Sequence, residues 1–530
     1  MIALADPLPE RVRRGASGIV GTIVILLAWE LAARALAGAY ILAAPSDVVV
    51  HILQNSDLIW RALRETLGNA TLGYVLGNLA AIGLAGAALA WPRAEPVVAG
   101  LALLVFCLPL VATGPILRVL YGPGPGPQIT LAALAVYYTT FVPLLVGLRA
   151  APASWFELLR SYGRGRLAEL VHIRARASLP YLFAGLQIAA PAAFLGAMVG
   201  EFTGAERGLG LLAIRAIRAL DIAGIWALAS ISAAVSILIY TAVGWLSRAV
   251  LRDPPPMILA PPALPRTGHA QGLAATVMRT AFVLAMALLL WWGAMTTFDL
   301  NPFFAKRPDD VWVALFTATD ARETRETLAG ALGETVVFLL PGFAGGLALG
   351  AGLAILLTLA PALTPSATLI AVALRSVPIL TTAPLIVLLL GRGAAGTITL
   401  VAVMVFFPTF VACLHGLRQA PGQILDVFST YAAGPFARLW HVQVPVMLPA
   451  FFAAARMSVP ASVLAVTVVE WLATGRGIGS LMALSASLSD YDMLWSSVVI
   501  VSVLSALGYA GIGWVERRVL TVFASEQVAR

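Results

Sequence analysis

Few residues in this sequence can do chemistry, and their spacing excludes most of it. The only lysine, Lys306, stands in Phe303-Phe304-Ala305-Lys306-Arg307. A nucleotide-binding loop of the Gly-x-x-x-x-Gly-Lys-Ser/Thr type needs a lysine ammonium against the β and γ phosphates, and no such loop is present. The five histidines, at 51, 172, 269, 415 and 441, are scattered, and no two share metal-ligand spacing. Cys107 and Cys413 lie in apolar runs, where a reduced, packed thiol is the ordinary state. What remains is a handful of ionisable groups set in apolar sequence: Arg375, Arg456, Glu201 and Glu470. A charge facing lipid is costly, so each marks either a partner or a polar path. Two arginines on one wall would attract an anionic or carbonyl-rich solute; a neighbouring helix carbonyl or carboxylate could equally satisfy each. Glu201 and Glu470 close two apolar runs, as parts of a gate or as acids paired with Arg207 and Arg476. Glu30 and Arg34, four apart, neutralise each other.

The elements that must hold these groups are membrane helices. With 60% hydrophobic and 11% charged residues and a mean hydropathy of +0.91, the chain lacks the polar surface of a soluble protein. Runs near the roughly 20 residues needed to span a bilayer fall at 18–37, 67–91, 97–120, 129–148, 181–200 and 225–246. A second set falls at 274–296, 332–359, 368–390, 398–417, 450–471 and 494–515. Arg11, Arg13 and Arg14 ahead of the first run suggest a signal peptide, but the second set opens with an equivalent helix and needs none.

The two sets are copies. Pro180 pairs with Pro449, an offset of 269 (449 less 180). The same offset pairs Pro109 with Pro378, Phe141 with Phe410, Tyr162 with Tyr431, His172 with His441 and Glu201 with Glu470. It also pairs Phe106 with Arg375 and Gln187 with Arg456, so the two walls have diverged. An even number of helices per copy makes the repeat parallel. We expect domains at 1–251 and 274–530, joined by the Pro-rich stretch 252–273. The positive-inside bias puts both termini, the linker and the polar inserts in the cytoplasm, and the net charge of +8 expresses that bias rather than nucleic-acid binding.

Each copy contains one polar insert, Glu157 to Pro180 and Asp426 to Pro449. The first spaces apolar residues helically with Arg160, Arg164 and Arg166 between them, breaking at Gly163 and again at Pro180. An amphipathic helix that belongs to no span must lie on lipid or on a partner. The less basic second copy keeps the same length and break, as a partner cleft would require.

These inserts resemble the cytoplasmic signature of ATP-binding-cassette importer permeases: Glu-Ala-Ala, then Gly, then Ile-x-Leu-Pro. The first copy offers Glu157-Leu158-Leu159, Gly163 and Ile173, with Leu179-Pro180 beyond; the second offers Asp426-Val427-Phe428, Ala432 in place of Gly, and Val442-Gln443-Val444-Pro445. Downstream, the stretches leading to Glu201-Phe202 and Glu470-Trp471 resemble the nitrate, sulfonate and taurine branch, which also includes importers of pyrimidine precursors and riboflavin. The resemblance implies an all-α protein of two six-helix type I importer domains that has no enzymatic activity of its own. It also implies two cytoplasmic ATP-binding subunits carrying ATP and magnesium, so that this chain needs no cofactor, and a periplasmic or lipid-anchored solute-binding protein. Docking would fall to Glu157, Arg160, Gly163, Arg164, His172, Pro180, Asp426, Ala432, Arg438, His441, Pro445 and Pro449. The solute path or gate would use Arg375, Arg456, Phe106, Gln187, Glu201 and Glu470. An ion-coupled secondary transporter is the competing expectation, and it would need acids deep in the spans, where only Glu30 and Glu334 are candidates.

Overall fold

The computed structural model describes residues 24, 26–36, 38, 42–122, 124–251, 273–298, 300–360, 383, 386, 389–391 and 393–523. Among them no strand occurs. The first half runs α1 (Pro45–Gln54), α2 (Ser56–Ala90), α3 (Glu95–Phe106), α4 (Leu110–Tyr121) and α5 (Gly126–Gly147). It continues through α6 (Ala153–Ser161), α7 (Arg166–Phe202), α8 (Leu209–Arg218) and α9 (Ile222–Val250). The second half has α10 (Leu273–Thr297), α11 (Pro308–Trp312), α12 (Ala321–Leu359) and α13 (Ala394–Arg418). Then come α14 (Gly422–Thr430), α15 (Pro435–Leu472), α16 (Gly477–Leu488) and α17 (Tyr491–Phe523). The 269-residue offset carries α6 onto α14 residue for residue, and α7 onto α15 to within one residue.

Among the described residues nine helices are long and apolar enough to cross a bilayer, and α3 with α4, bent by 90°, brings the number to ten if the pair is counted as one span. The sequence suggested one straight span at 97–120. Instead the chain breaks at Cys107-Leu108-Pro109, because Pro109 has no N–H to continue the helix. Of the span expected at 18–37, residues 24 and 26–36 are described, and 24 and 26–35 are helical; the span expected at 368–390 and the linker at 252–273 fall largely outside the described residues, as does Arg375.

Lipid offers no hydrophobic drive between helices, so close packing of small residues decides which helices meet. Gly73 and Gly77 on α2 let α5 approach until a Cβ at Gly77 would lie 2.6 Å from the Ala133 carbonyl oxygen. Their counterparts Gly342 and Gly346 do the same for α13, a Cβ at Gly346 lying 2.6 Å from the Ala402 oxygen. Helix α7 completes the first of these triads from the other side, with Gly196 and Gly200 against Leu131 and Gln128. The two halves meet where α4 packs on α15 and α16, Val111, Ala112 and Pro115 facing Thr467, Trp471 and Met482.

Pro180 and Pro449 do not end the inserts as expected; both lie inside continuous helices. An interior proline costs about 3 kcal/mol, but in each copy it follows a π-helical turn, Glu169–Arg174 and Leu439–Gln443. Such a turn shifts the hydrogen-bond register just upstream, and packing on α5 and α13 holds the remainder.

Candidate functional site

Two regions at opposite ends of α7 and α15, roughly 50 Å apart at 1.5 Å per residue, carry the repeated polar groups. At one end lie the inserts. Helix α6 stops at a turn where Gly163 takes φ +67°, and α7 then starts at Arg166. Its copy α14 stops at Ala432, whose φ is +52°. The left-handed conformation is thus kept by a residue that pays for its Cβ. Ala432→Gly is therefore expected to stabilise the insert by about 1 kcal/mol, and Gly163→Ala to destabilise it equally. Hydrogen exchange of the Tyr431–Gly434 amides in intact protein checks this; equal protection in wild type and Ala432→Gly would contradict it.

Glu157, Arg160, Arg164, His172, Asp426 and His441 are exposed, and Arg438 is half-buried. Arg160 is less free than expected, since its Nε donates to Glu169 Oε1 at 2.8 Å. Arg438 Nε donates to the Ala433 carbonyl at 3.1 Å. Each histidine ring reaches back one turn, His172 Nδ1 lying 3.2 Å from the Ala168 oxygen and His441 Nδ1 3.0 Å from the Ala437 oxygen. Pro445 opens the α-helical stretch after the π turn. The inserts also expose apolar side chains in register: Leu158 with Val427, Tyr162 with Tyr431, Leu167 with Phe436 and Val171 with Trp440.

At the other end Glu201 and Glu470 are fully or almost fully buried. Neither pairs with Arg207 or Arg476. Each caps the short helix that follows it: Gly210 N donates to Glu201 Oε2 at 2.7 Å, and Gly479 N to Glu470 Oε2 at 2.8 Å. A threonine from the long preceding span takes the amide before. Leu209 N donates to Thr66 Oγ1 and Ile478 N to Thr335 Oγ1, both at 2.9 Å. Glu334 adds a third acceptor in the second half, for Gly477 N at 2.9 Å. First-turn amides have no partner within their helix and carry the positive end of its dipole, so a buried carboxylate there is stabilised. Each capped helix is thereby pinned to two spans at once. Thr66 and Thr335 escaped the sequence reading, and Glu334 entered it only as a candidate acid for ion coupling, although Glu65-Thr66 and Glu334-Thr335 repeat at the same offset.

Of the other groups expected along the solute path, Arg456 and Gln187 lie within α15 and α7, and Phe106 closes α3. Arg456 NH1 is 3.2 Å from Glu516 Oε2 on α17, so a carboxylate neutralises it. Its counterpart Gln187 instead donates weakly to the Tyr240 carbonyl at 3.4 Å. Phe106 stacks on Tyr138, centroids 4.3 Å apart. Glu516 and Tyr138 were not anticipated; Glu516 falls just past the apolar run at 494–515.

Among the described residues no cluster of three or more histidine, cysteine or acidic side chains could hold a metal. The chain matches the family described as binding-protein-dependent transport system inner membrane component twice, at residues 65–252 and 346–521. It is 31% identical over 233 residues to a probable ABC transporter permease protein of Haemophilus influenzae, a match covering 43% of this chain and 93% of that protein. It is 27% identical to the formylaminopyrimidine transport permease protein ThiX of Halalkalibacterium halodurans, over 43% and 92% of the respective chains. With the riboflavin transport system permease protein RibX of Chloroflexus aurantiacus identity is 28%, over 46% and 92%. Each relative is nearly used up by less than half of this chain, as two fused copies require. The chain belongs to the family of binding-protein-dependent transport system inner membrane components, as an ABC transporter permease with two type I permease domains in one multi-pass inner-membrane polypeptide.

Proposed function

We propose that this permease forms the solute path of an ATP-driven importer whose two inserts dock on two separate cytoplasmic ATP-binding subunits. A periplasmic or lipid-anchored binding protein delivers solute to the opposite face. In this reading ATP and magnesium reside on the partner subunits, both termini are cytoplasmic, and the domains are 1–251 and 274–530 with the linker 252–273 between them. The solute is small and polar or anionic, of the nitrate, sulfonate, pyrimidine-precursor or riboflavin class. The observation that carries the reading is the pair of exposed inserts, matched residue for residue in fold and in apolar register. Closure of an ATPase dimer would draw the inserts together, and because α7 and α15 run unbroken from insert to buried glutamate, each would transmit that movement to the far end. ATP and loaded binding protein then favour different states of one bistable helix assembly.

Charge reversal at Arg160, Arg164 and Arg438 tests it. Purified in mild detergent, the wild-type chain is expected to retain ATPase activity and the triple variant to lose about tenfold or more of it. The first insert should dominate, because Arg160, Arg164, Arg166, Arg174 and Arg176 face a single arginine, Arg438, in the second. Undiminished ATPase retention by the triple variant would refute docking at the inserts, and proton-driven uptake without any ATPase would revive the secondary-transporter alternative.

A further inference from the structure

At the insert end of the first half, a short series of side chains ties the insert to the bent span. Arg174, in the π-helical turn of α7, sets its guanidinium carbon 4.8 Å from the centre of the Phe156 ring on α6. Its NH1 donates to the Leu148 carbonyl, just past the end of α5, at 3.1 Å. The next residue along, Arg149, pairs with the Glu95 carboxylate at the start of α3. That carboxylate is buried, and burial together with the neighbouring Arg174 charge holds the Arg149 pKa down. Two cations thus face one another with a single buried acid beside them. Helices α3 and α4 in turn lie against the second half: a Cβ at Gly100 on α3 would come 2.9 Å from the Val283 side chain on α10, and α4 packs on α15 and α16. At the repeat offset the second half has Thr364, Leu425 and Gln443 in place of Glu95, Phe156 and Arg174, and Arg418, which keeps the place of Arg149, is exposed. Its insert is seated by other means. Leu439 on the second π turn is only 1% exposed, in one apolar cluster with Leu417 and Met447, whereas its counterpart Leu170 is 38% exposed.

We propose that Glu95, Arg149 and Arg174 are positioning residues of the transport cycle. They clamp the first insert to the bent span, so that ATP-driven movement of that insert reaches the boundary between the halves through α3 and α4. The inference rests on the importer reading above and adds a second route, across the bundle, to the one along α7. Movement of the π turn changes the distance from Arg174 to Arg149, and like charges respond strongly to such a change where water is scarce. Glu95 is buried, so water cannot take over its pairing, and α3 must follow the arginine or leave a charge unpaired. The second insert, seated by apolar contact and facing a threonine at 364, has no equivalent tie. The two halves therefore transmit unequally, and the first is the one that moves the boundary.

The reporter for the test is Cys107, a buried thiol at the break between α3 and α4, in a parent chain carrying Cys413→Ser. The full chain is purified from its native cells with the ATPase that accompanies it. Thiol labelling of Cys107 is then timed without nucleotide and after trapping with ATP and vanadate, and ATP hydrolysis is followed in parallel. We expect trapping to change the labelling rate of the parent about fivefold or more, and Glu95→Gln to shrink that change to less than about twofold while hydrolysis continues. The exchange of Glu95→Arg with Arg149→Glu again sets one carboxylate beside two guanidiniums. It should restore the response, including where Glu95→Gln alone fails to assemble. Arg418→Gln, in the second half, should leave the response intact. The proposal is overturned if Glu95→Gln responds like the parent, if the exchange does no better than Glu95→Gln, if Arg418→Gln abolishes the response as well, or if trapping leaves Cys107 labelling unchanged in the parent. Absence of any ATPase from the parent preparation would instead sink the importer reading itself.

Discussion

Gly208→Ala is expected to cut ATP-driven uptake at least about tenfold and to lower unfolding stability by about 3 kcal/mol or more. Gly208 takes φ +128°, where an L-residue is strained by about 1–3 kcal/mol. A Cβ there would also overlap the Glu201 carboxylate. That carboxyl group must then leave the Gly210 amide, and a buried donor left unsatisfied costs about 1–3 kcal/mol. Gly477, at φ +83° and against Glu470, repeats the arrangement, so Gly477→Ala should behave alike. Gly122→Ala is the control: its φ is +71° but nothing lies within 4 Å of the added Cβ. It should show strain alone, about 1–3 kcal/mol. Thermal unfolding followed by dye labelling of Cys107 and Cys413, both buried, reads the difference. Equal melting of Gly208→Ala and Gly122→Ala would mean that the buried cap bears no load.

The contrast between these glycines shows what the sequence could reveal. Positions repeated at one offset were legible, because a proline, glycine or glutamate seldom recurs at fixed spacing in apolar sequence by chance. Glu201 and Glu470 were therefore found, but their partners were misjudged. Arg207 and Arg476 are near in sequence, whereas the true donors are the Gly210 and Gly479 backbone amides, with Thr66 and Thr335 on distant helices accepting the amides just before them. Helix ends were misread for a related reason. An apolar run marks where lipid lies rather than where hydrogen bonding stops, so α2 begins at Ser56 and α7 at Arg166, well before residues 67 and 181. Pro180 looked like a terminator because nothing in the sequence announces the π turn that precedes it.

Arg456 and Glu516 illustrate divergence between the copies and yield the second large prediction. Removing either partner alone leaves a charge buried, the side chains being only 19% and 9% exposed, at a cost of about 3–5 kcal/mol. Arg456→Gln and Glu516→Ser are thus each expected to unfold more easily and to assemble poorly. The first half already contains both replacements at the repeat offset, Gln187 and Ser247, in a bundle of the same design. The double variant Arg456→Gln with Glu516→Ser should therefore recover to within about 1 kcal/mol of wild type, a coupling of about 5 kcal/mol or more in a double-mutant cycle. Additive losses would show that the pair does not act as a unit. Uptake separates structure from function in the same cycle. A pair that served packing alone would give a double variant restored in both stability and transport. If Arg456 also donates to a passing solute, the double variant regains its melting temperature but not its KM, because Gln187-like chemistry spends its amide on the opposite backbone.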